Sequence, residues 1–204
     1  MWILPSRSRP QNIQRLIGSW GKTGASTGVE LCIDFDDPCR EQYEAMNMPQ
    51  SWRLVVGQRG PLSAIYNAAY QRHKYLSWMG FIADDVVPIT NGWDTKLIEA
   101  AGSDGMAVPA GGHDPDGAPH FVLGGDLVRS MGWLSIPGLD RLYIDSAWQD
   151  IATDRGVLRR VPEVVLEHRH FSNKKARIDA TYLKHRKAQD KIIYDNWRQN
   201  GNFP

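Results

Sequence analysis

The sequence predicts an α/β protein with a central, mostly parallel sheet flanked by helices and a helical C-terminal tail. Two observations carry this reading. Over the first 82 residues, four short apolar runs bounded by turn residues are separated by three stretches with apolar residues at helical spacing. Each of those runs also stops abruptly in polar or charged residues. In open parallel sheets the crevice beyond the carboxyl ends of the strands is where ligands bind.

The elements follow in order. Trp2, Ile3 and Leu4, stopped by Pro5, form a buried first strand. Ser8 or Arg9, with Pro10 at a first helical position, opens a helix over residues 11–20, with Ile13, Leu16, Ile17 and Trp20 on one face. Residues 21–28 are a Gly/Ser/Thr loop. Residues 29–35 alternate apolar and polar, then meet Asp36-Asp37-Pro38, so a second strand ends in an acidic loop. A short helix fits residues 41–46. A third strand fits residues 52–56, closed by Gly57-Gln58-Arg59-Gly60-Pro61. Residues 62–73 are helical, with Leu62, Ile65 and Ala69 on one side. Residues 75–82 form the fourth and most apolar strand, which finishes on adjacent carboxylates, Asp84 and Asp85.

Beyond this point the pattern changes. Residues 93–101 are helical, 106–109 a strand, and 110–119 a loop rich in Gly, Pro and Asp. Residues 120–123 form a strand leading to a helix near 125–131. Ile144 and Asp145 precede a helix at about 146–155. Residues 161–170 are a late strand, and alternation places His168 and His170 on one face at its end. Residues 174–197 are mostly helical, with Ala176, Ala180, Leu183, Ile192, Ile193 and Trp197 sharing a broad face. The expected organisation is one catalytic domain over residues 1–171 and a basic helical extension over 172–204 packed on it.

Composition bounds the function classes. A chain of 204 residues with 42% hydrophobic residues and eight Trp can bury a real core, which excludes global disorder. The formal net charge of +1 neither demands nor excludes a polyanionic partner. Cys32 and Cys39 fit no secreted disulfide framework and no common zinc spacing, so reduced thiols are expected. The opening MWILPSRSRP has too short an apolar run for a signal peptide, and no stretch approaches the roughly 18 apolar residues of a membrane span. A cytoplasmic protein with no membrane partner is the expectation. GSWGKTG, at residues 18–24, lacks the first Gly of a phosphate loop and follows a helical pattern, so it is read as a helix-to-strand loop. No G-x-G-x-x-G occurs either, which removes the main support for a dinucleotide-dependent oxidoreductase.

The residues after the four strands are Ser6, Arg7 and Arg9; Asp34, Asp36 and Asp37; Gln58 and Arg59; Asp84 and Asp85. Basic and acidic groups meeting on one sheet edge suit an anionic ligand plus a cation. Two adjacent carboxylates repel, and each gains from a divalent cation; their oxygens suit Mg²⁺ or Mn²⁺. A solvated acidic turn is the plain alternative for any such pair, and helix capping is the plain alternative for Asp145.

Four segments together resemble a small glycosyltransferase of the GT-A fold: ILPSRSRP, CIDFDDP, GQRGPLSAIYNAAY and FIADDVVPITNGWD. The likeness spans roughly residues 1–170 in order. It implies a metal-dependent transferase that moves a sugar from a nucleotide sugar, expected to be UDP-linked, to an acceptor hydroxyl. Asp85 matches the metal-binding carboxylate of the family's DXD region, with Asp84 helping at the ribose or a metal-bound water. Ala83 stands where many members have another Asp. Pro5, Ser6 and Arg7 with Asp34 or Asp36 match the nucleoside-holding loops; Arg59 falls where a basic residue meets the nucleotide, with Asn67 bracing it. Many members add a C-terminal His to the metal, for which His168 is the first candidate and His170 the second; a mixed Asp/His site favours Mn²⁺ over Mg²⁺.

The resemblance also implies a catalytic base in inverting members, matched by Asp145, with Asp150 as the fallback. Residues 124–126 (Gly-Gly-Asp) fall where the family often contacts the donor sugar. Between residues 169 and 191 the chain carries Arg169, Lys174, Lys175, Arg177, Lys184, Arg186, Lys187 and Lys191 against Asp179 and Asp190. That local excess reads as a solvated helix face or as a polyanion-binding surface. Small phage enzymes of this kind glycosylate hydroxymethylated bases in DNA, so DNA is the expected acceptor. The alternatives are a glycosyltransferase acting on a protein or small molecule, and a nucleotidyltransferase of similar fold.

Overall fold

The computed structural model describes residues 1–110, 117–169 and 187–201. Eight strands form one sheet in the order β3-β2-β1-β4-β7-β6-β8-β5. In chain order the elements are β1 (Trp2–Pro5), α1 (Pro10–Lys22), β2 (Val29–Asp34), α2 (Arg40–Glu44), β3 (Trp52–Gly57), α3 (Leu62–His73), β4 (Trp78–Phe81), β5 (Val86–Pro88), α4 (Trp93–Ala101), β6 (Met106–Ala110), β7 (Phe121–Gly124), α5 (Gly125–Met131), α6 (Ile144–Asp154), β8 (Leu158–His168) and α7 (Lys187–Gln199).

The first four of these strands in the sheet order, β3, β2, β1 and β4, are mutually parallel. β7 runs antiparallel to both β4 and β6, β8 returns parallel to β6, and β5 is antiparallel to β8. The expected parallel α/β half is therefore present, and it is followed by a mixed half.

Side chains alternate across the sheet, as the two-residue strand period requires. Trp2 and Leu4 of β1 and Val29, Leu31 and Ile33 of β2 point to one face, where α1, α2 and α4 pack through Ile13, Leu16, Trp20, Tyr43, Trp93 and Leu97. Ile3 and Cys32 point to the other, against α3, α5, α6 and α7. Four of the eight Trp explain themselves on the first face: Trp2, Trp20, Trp52 and Trp93 form a chain of ring contacts with centroids 4.8–5.1 Å apart. Such pairs are worth about 0.5–1.5 kcal/mol each beyond their area burial.

Three expectations change. The fourth strand begins at Trp78 rather than residue 75, because Tyr75 and Leu76 sit in a turn with Tyr75 85% exposed. Val86 to Pro88, read only as a flank of the acidic pair, form a short strand of their own. Asp145 lies inside the first turn of α6 rather than ahead of it, because Tyr143 takes the N-cap position with φ 66°. The two cysteines are unbridged, with Cys32 buried. Among the described residues no helix is long and apolar enough to cross a membrane.

Candidate functional site

The topology assembles the site. β1, β2, β3 and β4 are parallel, so residues after each of them lie on one edge. β7 runs the other way, with Phe121 opposite Phe81, so the residue before it, His120, arrives at that same edge. β8 ends there as well, because His168 pairs with Val86, the residue that follows the acidic pair. Ser6, Arg9, Asp34, Asp37, Asp84, Asp85, His120 and His168 are all 8% exposed or less. Charged groups this buried need compensation.

Asp84 has it. Its carboxylate accepts from Ser6 Oγ at 2.7 Å and from Arg9 Nη1 at 3.2 Å. Ser6 gives its one proton to Asp84, so the 2.9 Å contact between Ser6 Oγ and Tyr43 Oη has Tyr43 as donor. Tyr43 Oη in turn accepts the Arg9 backbone N–H at 2.8 Å. Burial raises the Tyr43 phenol to about 12, against the opposing Ser6 and Arg9 hydrogen bonds, so it stays a proton donor. Burial also pushes Asp84 above the usual carboxylate range, with the neighbouring Asp85 charge adding to it and Arg9 pulling it back. Arg9, named from sequence only as a strand-end residue, is thus the main charge partner of Asp84.

Asp85 faces elsewhere. Its Oδ1 stands 3.1 Å from His168 Nε2, and its backbone carbonyl accepts the Arg169 N–H at 2.8 Å. The rings of His120 and His168 meet edge to face at 4.6 Å. His120 was missed from sequence; the only signal was its place at the start of a strand after a Gly-rich loop, and its value depends on that strand being antiparallel. His170 lies outside the described residues.

The expected nucleoside side is a second charged cluster at the same edge. Arg7 Nη1 donates to Asp34 Oδ2 at 2.6 Å and to Asp36 Oδ1 at 2.8 Å, and Arg59 Nη1 lies 3.6 Å from Asp36 Oδ2. The Arg7 hydrogen bond is the main reason Asp36 titrates below the ordinary carboxylate range. Pro5 ends β1 half-buried beside this cluster. Phe35, between the two carboxylates, is 53% exposed.

Asn67 is placed differently. Its Oδ1 accepts the Leu134 and Ser135 N–H groups at 3.0 Å each, and its Nδ2 donates to Ser135 O at 2.9 Å. It anchors the loop at Leu134 and Ser135. Asp145, half-buried, accepts the Ser146 N–H at 2.9 Å. Burial pushes the Tyr66 phenol up, with the Asp145 charge a small addition, and the Tyr66 ring packs 4.4 Å from that of Phe81 at the end of β4. Asp150, the fallback base, has its carboxylate held by Tyr194 Oη and Arg198 Nη1. Residues 124–126 are placed away from the Asp84 edge. Gly124 pairs with Trp78, at the edge of the sheet opposite Asp84, and Asp126 is an exposed partner of Arg129.

The donor set suits a small divalent cation. Two ligand atoms about 2.1 Å from one ion and at a right angle stand about 3 Å apart, and Asp85 Oδ1 and His168 Nε2 stand 3.1 Å apart. Among the described residues no group of three or more His, Cys, Asp or Glu side chains is arranged around a metal position. Two protein donors match the habit of ions that are completed by water and substrate phosphates.

No protein-family model and no curated protein sequence matches the chain. Solved structures do resemble it. One is the mannosyltransferase PcManGT from Pyrobaculum calidifontis in complex with GDP-Man and Mn²⁺, with a TM-score of 0.64 at 13% identity over 82% of this chain. The chain spans about half of that protein, 55%. Another is GalNAc-T7 with UDP, GalNAc and Mn²⁺, with a TM-score of 0.57 at 14% identity, covering 82% of this chain and 43% of that one. A third is a protein described as a glucose-1-phosphate thymidylyltransferase from Bacillus anthracis, with a TM-score of 0.54 at 8% identity and 95% coverage of each chain. At these identities the likeness establishes the fold, which is GT-A-like and shared by glycosyltransferases and nucleotidyltransferases.

Proposed function

We propose that this chain is a cation-dependent glycosyltransferase that passes a sugar from a nucleotide sugar to an acceptor hydroxyl. The observation that carries the reading is the pairing of Asp85 with His168 beside a separately compensated Asp84 at the crevice edge of the sheet. The alternative, a nucleotidyltransferase, shares the sheet, but the loop PSRSRP after β1 has no glycine run to wrap a nucleotide's phosphates.

Asp85 and His168 would hold Mn²⁺ or Mg²⁺, with imidazole favouring Mn²⁺. A bound cation supplies charge neutralisation for a departing diphosphate. The chain's own residues do the rest. Ser6 and Arg9 fix the Asp84 carboxylate, so it can accept a hydrogen bond from a ribose hydroxyl without rotating. Arg7 and Arg59, each already beside a carboxylate, present guanidinium groups to the nucleotide. Asp145 takes the proton of the acceptor hydroxyl as it attacks, which gives inversion at the anomeric carbon. Asp145→Asn is expected to lower turnover by about 100-fold or more, the general-base contribution, while nucleotide-sugar affinity measured by calorimetry stays within twofold. Unchanged turnover would remove the base and leave a helix-terminus residue.

A base hydroxyl on DNA is the acceptor that the basic residues favour. Of those residues, Lys174, Lys175, Arg177, Lys184 and Arg186 lie outside the described part of the chain. Binding to duplex DNA should then weaken steeply between about 50 and 200 mM salt. A flat salt dependence, or no binding, points to a protein or small-molecule acceptor instead.

A further inference from the structure

The last helix grips one particular part of the molecule. Asp190, in the first turn of α7, is completely buried. Its Oδ1 accepts the Asp140 backbone N–H at 2.6 Å, and its Oδ2 accepts those of Arg141 at 3.0 Å and Leu142 at 2.8 Å. A carboxylate that takes consecutive backbone donors sets the orientation of each peptide plane it holds. The same loop is tied to the start of α3, because the Leu62 N–H donates to Asp140 O at 2.8 Å, one residue after the Arg59–Pro61 turn.

One turn further along α7, the Tyr194 ring lies parallel to that of Tyr143 with centroids 4.8 Å apart. Tyr143 has φ 66°, a left-handed conformation that a residue with a side chain adopts only when its surroundings hold it there. It is the N-cap of α6, two residues before Asp145. Finally, Tyr194 Oη and Arg198 Nη1 hold Asp150, on α6 itself. A helix that merely covered an apolar face would need only its stripe of Ile193, Tyr194 and Trp197. This one spends a buried carboxylate, a stacked ring and an ion pair on the segment from 140 to 150.

We propose that α7 is a positioning strut for the acceptor side of the site, and that Asp190 is a positioning residue acting through the 140–142 loop on Asp145. This rests on the reading of Asp145 as the base. The contacts of α7 named above all fall on residues 140–150, and the donor side is reached only indirectly, through the Leu62–Asp140 hydrogen bond, so the strut is expected to act on turnover far more than on donor binding.

The test uses the full chain with Asp190→Asn, which keeps side-chain size but turns an amide group toward backbone donors. Amide exchange of Asp140, Arg141 and Leu142 should quicken at least tenfold. Turnover at saturating donor should fall tenfold or more, with the donor KM within twofold of wild type. Tyr194→Phe keeps the stacked ring and removes the hydroxyl bond to Asp150; a smaller fall in turnover with the same unchanged KM is expected, and this variant carries the test if Asp190→Asn does not fold. Faster exchange with unchanged turnover, or turnover and donor affinity falling together, overturns the proposal. If the wild type transfers no sugar from any nucleotide donor, it is the functional reading that fails. The exchange measurement then still decides the strut, which unchanged exchange in the variant overturns.

Discussion

At the residue scale, the acidic pair at the end of β4 divides its work. The sequence assigns the cation to Asp85 and a helping role to Asp84, on the strength of a family resemblance. In the fold, Asp84 is already answered by Arg9 and Ser6, and Asp85 is turned to His168. The resemblance had already set His168 beside Asp85 as a candidate ligand; the partnership of Arg9 with Asp84 was not legible, because the two lie 75 residues apart and only the folded edge brings them together. Glu30 shows the same limit away from the site. Nothing in the VELCID run marks it, yet it is completely buried beneath Arg53, Arg72 and His73. Burial alone would raise its titration, but the hydrogen bonds from Arg72, Arg53 and His73 outweigh that and bring it from 4.5 to about 2. A depressed carboxylate contributes stability that is present above its unfolded value and lost as pH falls through the folded one. Glu30 should therefore contribute on the order of 3 kcal/mol at neutral pH, lost between about pH 4.5 and 2. In urea titrations, Glu30→Gln should be less stable than wild type at pH 7, and the gap should close on acidification through that window. A gap independent of pH would mean that the loss is one of packing.

At the scale of elements, periodicity recovered the helices and strands of the first half, because each of those strands is short, apolar and cut off by Gly, Pro or Asp. It overran the start of β4, since Tyr75 and Leu76 extend the apolar run while lying in an exposed turn. It also passed over β5, whose three residues, Val86 to Pro88, acquire strand geometry only by pairing with β8. The antiparallel course of β7 has no local signature, which is why His120 went unnoticed. Packing within the sheet offers a sharp check. A Cβ added at Gly80 would fall 2.3 Å from the Trp2 ring, so any larger residue there forces the Trp2 ring or the β1–β4 pairing to shift. Gly80→Ala should destabilise the protein by at least the 1–3 kcal/mol typical of overpacking, read as a lower denaturation midpoint. A change below about 0.5 kcal/mol, the range of neutral surface substitutions, would mean that the Trp2 ring can move aside.

For the whole molecule, the arrangement follows from one choice, a parallel half-sheet whose carboxyl edge is met by strands arriving from the second half. The first half supplies Ser6, Arg7, Arg9, Asp34, Asp36, Arg59, Asp84 and Asp85. The second half brings His120 and His168 to the same edge, and Asp145 lies in the first turn of α6, whose Asp150 is held by Tyr194 and Arg198 of α7. Sequence order made the class of fold legible, and the strand-end rule named most of the edge. The separation of the edge into an Asp85–His168 pair, an Asp84–Arg9–Ser6 group and an Arg7–Asp34–Asp36 cluster needed the sheet order. The central claim is that Asp85 and His168 let the edge take a nucleoside diphosphate together with a cation. Its most direct test is the thermal midpoint of the protein with a panel of nucleotide sugars, with and without Mn²⁺, in wild type and Asp85→Ala. A ligand present at about 100 times its Kd should stabilise the wild type by roughly 2.7 kcal/mol. The account predicts that one nucleotide sugar raises the midpoint by several degrees only when Mn²⁺ is present, and that Asp85→Ala abolishes the shift. An equal shift without Mn²⁺, or one retained in Asp85→Ala, would contradict it.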